Sequence, residues 1–131
     1  MSEVRSVVLV DAVRTPFGKA GSMYAGTRAD DLMVRAMRGL LERNPKVDPA
    51  SIDDVAIAAA TQTGDQGMNI GRSATLLAGL PKTVPGYSID RWCAGALTAT
   101  TTVAGAIAMG AIDIAIAGGV EHMGNHPMGE L

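Results

Sequence analysis

Short apolar runs alternate with helix-length segments along this chain, and this alternation limits the fold more than any other feature. Each run ends at a loop that contains glycine, proline or aspartate. Such runs, separated by helices, are typical of strand–helix–strand units whose strands pair in parallel through right-handed crossovers. The predicted strands are Ser6–Val13, Val55–Ala60, Tyr87–Asp90 and Asp113–Ala117. We therefore predict one α/β domain over residues 1–131 with a largely parallel sheet.

The first predicted helix has a clear amphipathic pattern. Apolar residues recur at i, i+1, i+4 and i+5 between Leu32 and Leu41, which places them on one stripe. Asp30 and Asp31 suit the positive end of the helix dipole, and Asn44 followed by proline ends the pattern. The three predicted helices are Asp30–Arg43, Asn69–Ala78 and Ala94–Met109. Each of them follows one of the predicted strands.

The third helix lies in a stretch without charge, from Trp92 to Ile112. At about 1.5 Å per residue this stretch is long enough to span a bilayer. Its apolar residues are mostly alanine, however, and threonine and glycine make it weakly hydrophobic. We predict no membrane span, and expect this helix to be buried against protein.

Composition excludes several classes of protein. The chain is 47% hydrophobic and 18% charged, which is typical of a folded domain and not of a disordered one. Eleven basic residues against thirteen acidic ones, with few aromatic residues, give no support for nucleic-acid binding. The amino terminus lacks the features of a secretory signal, so we expect a cytoplasmic protein. A single cysteine cannot form an internal disulfide.

That cysteine, Cys93, falls at the junction of the third strand and the third helix. A helix amino-terminus has unpaired N–H groups that stabilise a thiolate over a thiol. The carboxyl end of a parallel strand is also where α/β sheets bind ligands. Ala94-Gly95-Ala96 leaves room beside the sulfur, although small residues also suit close helix packing. From its position alone, Cys93 could be a nucleophile or a small buried hydrophobic residue. Free cysteines in proteins are more often the second.

Four ordered motifs carry a family resemblance that changes this balance. They are Val10-Asp11-Ala12-Val13-Arg14-Thr15-Pro16-Phe17-Gly18, Gly67-Met68-Asn69-Ile70-Gly71-Arg72, Asp90-Arg91-Trp92-Cys93 and Ala117-Gly118-Gly119-Val120-Glu121-His122-Met123. In this order and spacing they resemble the amino-terminal part of thiolases. Asp90 stands where an asparagine is commoner in that family, and Arg91 or another cation is expected to neutralise it.

The resemblance implies a fold and a domain organisation. Residues 1–131 would form an amino-terminal thiolase half-domain, a mixed and mostly parallel sheet of about five strands covered by helices. The coenzyme A-binding loop region and the second thiolase domain would be absent from this chain, which ends in a polar tail. We expect the segment alone to be inactive and to aggregate or be poorly ordered.

The resemblance also implies site residues. Cys93 would be the nucleophile that forms an acyl-thioester, and its backbone N–H would be an oxyanion donor. His122 and Met123 would line the pocket, and His126 would be a loop residue. A histidine base would come from the second domain. Coenzyme A and acyl-CoA would be substrates, with no cofactor and no metal.

The implied activity is thiolytic cleavage of 3-ketoacyl-CoA to acetyl-CoA and a shortened acyl-CoA in fatty-acid β-oxidation. The segment Gly119-Val120-Glu121-His122-Met123-Gly124, followed by His126-Pro127-Met128, most resembles the fatty-acid-degrading thiolases. Biosynthetic condensation of two acetyl-CoA remains the alternative. More distant alternatives are a ketoacyl synthase and a non-catalytic thiolase-like protein. The implied partners are a second copy, as a homodimer or a dimer of dimers, and a β-oxidation hydratase/dehydrogenase subunit.

Overall fold

Helices and strands alternate in the computed structural model of the protein, which describes residues 3–129. The elements in chain order are α1 (Ala29–Arg43), β1 (Asp54–Ala58), α2 (Ile70–Leu77), β2 (Tyr87–Ile89), α3 (Gly95–Ala108) and β3 (Ala115–Gly119). All three predicted helices and the last three predicted strands are therefore confirmed, with boundaries shifted by a few residues. Short 3-10 turns precede β1, α2 and α3.

The strands form one parallel sheet in the order β2-β1-β3. Ala56 pairs with Tyr87 of β2 and with Ala117 of β3, so β1 lies in the centre. Val55 and Ile57 on one face of β1 and Ala56 on the other are all fully buried, as expected for a strand covered on both faces. The predicted parallel sheet is confirmed. The carboxyl ends of all three strands therefore meet at one edge.

The predicted strand Ser6–Val13 is wrong in this structure. The segment forms no strand, and its apolar side chains are largely exposed, with Leu9 at 82%. A strand needs a neighbour, and neither edge strand of the sheet, β2 or β3, pairs with this segment. Residues 3–129 thus contain three strands, and the expected five are not shown. Arg5 fixes the start of the segment, because its N–H donates to Ala108 O at 3.0 Å.

Helix α1 packs as its apolar stripe predicts. Leu32, Met33 and Met37 are buried, and α1 packs with α2 and the sheet around one hydrophobic cluster. Asp30 is also buried, and both of its oxygens accept from the Arg28 guanidinium at 2.9 and 2.8 Å. Burial of this carboxylate is thus accompanied by a bidentate ion pair.

Helix α3 carries no charge on any face, and residues 3–129 cover only one of its faces. Ala99 and Val103 are buried with Ala56 of β1, whereas Leu97 is 68% exposed. Within residues 3–129, no helix combines the length and hydrophobicity needed to cross a bilayer.

Candidate functional site

Cys93 lies in a tight turn between the edge strand β2 and helix α3. The turn, Trp92–Ala94, is one 3-10 unit that leads directly into α3. Trp92 has φ 47°, a left-handed conformation that bulky residues rarely adopt. Its N–H donates to Asp90 Oδ1 at 2.8 Å, which stabilises the turn. The thiol is exposed, so it is not the small core residue that base rates favoured.

The backbone amide of Cys93 is open as well. Ala94 N–H donates to Arg91 O at 3.0 Å, and Gly95 N–H donates to Trp92 O. No acceptor is found for the Cys93 N–H among residues 3–129. An unpaired N–H at a helix start can donate to an anionic oxygen.

The predicted neutralisation of Asp90 by Arg91 is wrong. Within the described part of the chain, neither Arg91 nor another cation forms an ion pair with Asp90. Asp90 is exposed, where solvent screens its charge, and its carboxylate accepts the Trp92 N–H instead. An open cavity of about 250 Å³ lies between Asp90, Arg91 and Trp92.

Two glycines bring α3 onto the carboxyl edge of the sheet. A Cβ at Gly95 would lie 2.7 Å from Ala58 Cβ, and a Cβ at Gly119 would lie 3.1 Å from Ala96 Cβ. Either contact is closer than real Cβ atoms normally approach. Gly95 is therefore required for packing, whereas Ala94 and Ala96 remain exposed beside the thiol.

His122 is buried, and both of its ring nitrogens are engaged. Nδ1 accepts from Asn125 N–H at 3.2 Å, so the ring proton lies on Nε2, which donates to Tyr24 O at 2.8 Å. His122 N–H donates to Gln66 Oε1 at 2.6 Å. Within residues 3–129, no hydrogen bond joins its ring to Cys93. Its arrangement is that of a group that holds the loop in place.

His126 pairs with Asp65, on the loop that follows β1. Its Nε2 contacts Asp65 Oδ1, and Asp65 Oδ2 accepts from the first N–H of α1, at Ala29, at 2.9 Å. Burial raises the pKa of Asp65, but the bonds from His126 and Ala29 and the charge of Arg28 outweigh it and hold the pKa below 3.8. His126 thus ties the loop after β3 to the start of α1.

A cavity of about 770 Å³ lies between the segment 9–20, helix α1 and the end of β3. His122 and Met123 line it, together with Glu121 and, from α3, Thr100. Cys93 is not among its lining residues; it lies about two helical turns before Thr100. The first two turns of α3 therefore separate the thiol from Thr100, the α3 residue that lines the cavity.

Two features of this edge were not predicted from the sequence: the burial of Gln66 and the hydrogen bonds accepted by Glu121. Gln66 is fully buried and bonds to the Glu121 carboxylate. A lone glutamine in a polar loop is normally exposed, so the sequence carried no signal for it. Glu121 follows β3 within a quoted motif, but nothing in the sequence identified its partner. No group of three or more His, Cys, Asp or Glu within the described residues could hold a metal ion.

The parallel sheet and the accessible cysteine at its strand-to-helix junction define an α/β protein with a thiol at the ligand-binding edge. Residues 7–131 match the family described as Thiolase, N-terminal domain. The chain belongs to the thiolase family.

Named relatives agree with this assignment. A 3-ketoacyl-CoA thiolase of Aliivibrio salmonicida is 47% identical over 126 residues, which cover 95% of this chain and 33% of that protein. A beta-ketoadipyl-CoA thiolase of Pseudomonas aeruginosa is 46% identical over 123 residues, covering 94% and 31%. The crystal structure of the Bacillus anthracis acetyl-CoA acetyltransferase matches with a TM-score of 0.87 and 34% identity, covering 93% and 30%. The expected thiolase fold is thus confirmed, and the chain spans about a third of the length of the curated relatives it matches.

Proposed function

We propose that Cys93 is the nucleophile of a thiolase-type acyltransferase. Its thiolate adds to the C3 carbonyl of a 3-ketoacyl-CoA, and the C2–C3 bond then breaks. The C2 carbanion takes a proton and leaves as acetyl-CoA, while the shortened acyl group stays on sulfur as a thioester. A coenzyme A thiolate attacks this thioester, forms the shortened acyl-CoA and returns the Cys93 thiolate.

One observation carries this proposal: in a chain of this family, the Cys93 thiol is exposed beside a backbone N–H that has no acceptor within residues 3–129. A nucleophile must be reachable by its substrate, and the oxyanion formed at C3 needs a donor. The Cys93 N–H is such a donor. Exposed Ala94 and Ala96 leave the approach to the sulfur free of bulk.

The thiol also needs a base, and neither histidine fits that role. Both nitrogens of His122 are engaged in bonds that hold the loop, and His126 bonds to Asp65. We propose that the base, and the acid that protonates the leaving carbanion, come from outside residues 1–131. This agrees with the greater length of the relatives.

The names of the relatives favour 3-ketoacyl-CoA substrates. We propose that coenzyme A is the second substrate and that the cleavage belongs to fatty-acid β-oxidation. Condensation of two acetyl-CoA is the second candidate, because the structural relative is an acetyl-CoA acetyltransferase. A cytoplasmic homodimer, or a dimer of dimers, is the proposed form of the enzyme, with association of a hydratase/dehydrogenase subunit.

Acyl-enzyme trapping tests the proposal. The whole protein, as its gene encodes it, is mixed with a 3-ketoacyl-CoA, quenched in acid and digested for mass spectrometry. The peptide containing Cys93 should gain the mass of the shortened acyl group, and Cys93→Ser should gain none. Absence of acylation at Cys93 in an active preparation would refute the assignment. Comparing short-chain, long-chain and 3-ketoadipyl-CoA thiolysis with acetoacetyl-CoA formation then separates the two candidate reactions.

A further inference from the structure

The turn that carries Cys93, residues 90–94, leaves the sheet and returns to it at the same residue. Ile89, the last residue of β2, pairs with Ala58, and a Cβ at Gly95 would lie 2.7 Å from Ala58 Cβ. Ile89 O also accepts from Ala59 N–H at 3.3 Å. Both ends of this turn are therefore fixed against the end of β1, and residues 90–94 must make the whole change of direction.

Trp92 makes this change of direction in a left-handed conformation. Its φ is 47°, and Arg91 before it has φ −146° and ψ 43°. This conformation costs free energy for a bulky residue, so the surrounding structure must hold it. The Trp92 side chain is 79% exposed, so packing of the ring does little to hold it.

Asp90 supplies a bond that holds Trp92. Its Oδ1 accepts from Trp92 N–H at 2.8 Å, an arrangement in which an aspartate side chain closes a turn in place of a backbone carbonyl. Within residues 3–129, no other side chain bonds to the backbone of residues 91–93. The conformation of the turn therefore depends on the Asp90 carboxylate.

The left-handed conformation also decides what the Cys93 N–H can do. With Trp92 right-handed, this N–H would close an ordinary β-turn onto Asp90 O, three residues earlier. That bond is absent from the described part of the chain, whereas Ala94 N–H and Gly95 N–H donate to Arg91 O and Trp92 O. The Cys93 N–H is thus left for an outside acceptor because the Asp90 side chain, and not its carbonyl, closes the turn.

We propose that Asp90 is a positioning residue for the oxyanion donor: through Trp92, it holds the turn in which the Cys93 N–H stays available to the substrate oxyanion. This rests on the proposed thiolase function. Asp90 does not touch the reacting atoms in this assignment. Its carboxylate serves as a hydrogen-bond acceptor and not as an acid or a base.

Two substitutions at Asp90 test the assignment. Asp90→Ala removes the acceptor, whereas Asp90→Asn keeps one, because the amide oxygen of asparagine can accept the Trp92 N–H. The rate of Cys93 acylation by a 3-ketoacyl-CoA is measured in single turnovers of the whole protein. For Asp90→Ala the maximal rate should fall by about tenfold or more, with the half-saturating concentration within about twofold, because an oxyanion donor acts in the transition state. Asp90→Asn should stay within about threefold of wild type.

Iodoacetamide labelling separates the effect on the N–H from an effect on the thiol. Alkylation by iodoacetamide forms no oxyanion, so labelling of Cys93 in Asp90→Ala should stay within about threefold of wild type. Asp48→Ala is the matched control, because Asp48 Oδ1 accepts from Ala50 N–H at 2.9 Å in the same way, in the turn before β1. Its acylation rate should stay within about twofold of wild type.

A double variant keeps the test decisive if Asp90→Ala folds poorly. Glycine adopts the left-handed conformation without steric cost, so adding Trp92→Gly to Asp90→Ala should raise the acylation rate by about threefold or more. A double variant no faster than Asp90→Ala would overturn the positioning role.

Three other results would also overturn it. They are unchanged acylation in Asp90→Ala, an equal loss in Asp90→Asn, and a loss of labelling in folded Asp90→Ala that parallels the loss of acylation. Failure of the thiolase proposal gives a different pattern, since wild type itself would then not be acylated at Cys93.

Discussion

Gly95, the first residue of α3, lies directly against Ala58, the last residue of β1. A methyl group at Gly95 would sit 2.7 Å from Ala58 Cβ, and no real pair of Cβ atoms comes so close. Ala58 belongs to the central strand and cannot easily yield. The start of α3, and with it the turn that carries Cys93, is therefore set by the absence of a side chain at position 95.

Gly95→Ala should move the helix start away from the sheet. We expect a loss of about 1–3 kcal/mol in the free energy of unfolding, as for overpacked cores, and slower labelling of Cys93. Gly105→Ala is the matched control, because a Cβ at this α3 position meets nothing within 4 Å. It should stabilise the helix by up to about 1 kcal/mol. Denaturant unfolding of both variants checks the pair, and equal midpoints would contradict the packing argument.

The stability of the protein should depend on both the backbone conformation and the side chain of Asn69. It caps α2 at φ 56°, accepts from Arg72 N–H at 3.2 Å and donates to Gly86 O at 3.1 Å. Asn69→Ala removes the side-chain bonds and puts a residue that tolerates the left-handed region less well than asparagine at this position, which should cost about 2 kcal/mol or more. Asn69→Gly keeps the conformation and should cost about half as much. Equal losses in denaturant unfolding would show that the backbone conformation is unimportant.

Asp53 should make stability depend on acid pH. Its Oδ2 accepts from Asp113 N–H at 2.7 Å and Ile114 N–H at 3.2 Å, and these bonds hold the pKa of Asp53 below 3.8. The folded pKa is lower than the unfolded one, so this stabilisation is complete above the unfolded pKa and is lost as pH falls through the folded value.

Asp53→Asn should therefore unfold more easily than wild type at pH 7, and the difference should shrink below about pH 4. Denaturant unfolding of both proteins from pH 7 to pH 3 measures it. A difference in the free energy of unfolding that stays constant over this range would mean that the charge of the Asp53 carboxylate does not contribute to stability.

Arg5 should protect the amino-terminal segment, residues 3–13, from proteolysis. Its guanidinium donates to Ile107 O at 3.0 Å and Ile112 O at 2.6 Å and pairs with Asp113 at 2.6 Å, around the end of α3. Arg5→Ala should raise thermolysin cleavage within residues 3–13 by about tenfold, because local opening becomes easier. Arg35→Ala is the control, since Arg35 is exposed on α1 and unpaired within residues 3–129. Equal cleavage of the two variants would contradict the anchoring role.

Local patterns were enough to predict much of this fold. The apolar stripe of α1, the helix-length segment Asn69–Ala78 and the charge-free run of α3 are all properties of neighbouring residues, and all three helices formed where these patterns lie. The position of Cys93 at a strand-to-helix junction was predicted for the same reason. Its exposure was not predictable, because exposure depends on what packs around the turn.

The segment Ser6–Val13 shows the limit of such patterns. Its apolar, β-branched composition is typical of a strand, but pairing is decided by a neighbouring strand elsewhere in the chain, and neither edge strand, β2 or β3, pairs with this segment. The hydrogen bonds accepted by Glu121 show the same limit, since they join groups 55 to 61 positions apart in the sequence.

The sequence by itself thus determined the helices, the parallel strands and the thiol at a helix start, because these follow from residues close together in the chain. Only the tertiary structure decided which apolar runs became strands, which groups the two histidines bond to and that Gln66 is buried. Those outcomes depend on hydrogen bonds and packing between distant segments, which no local pattern specifies.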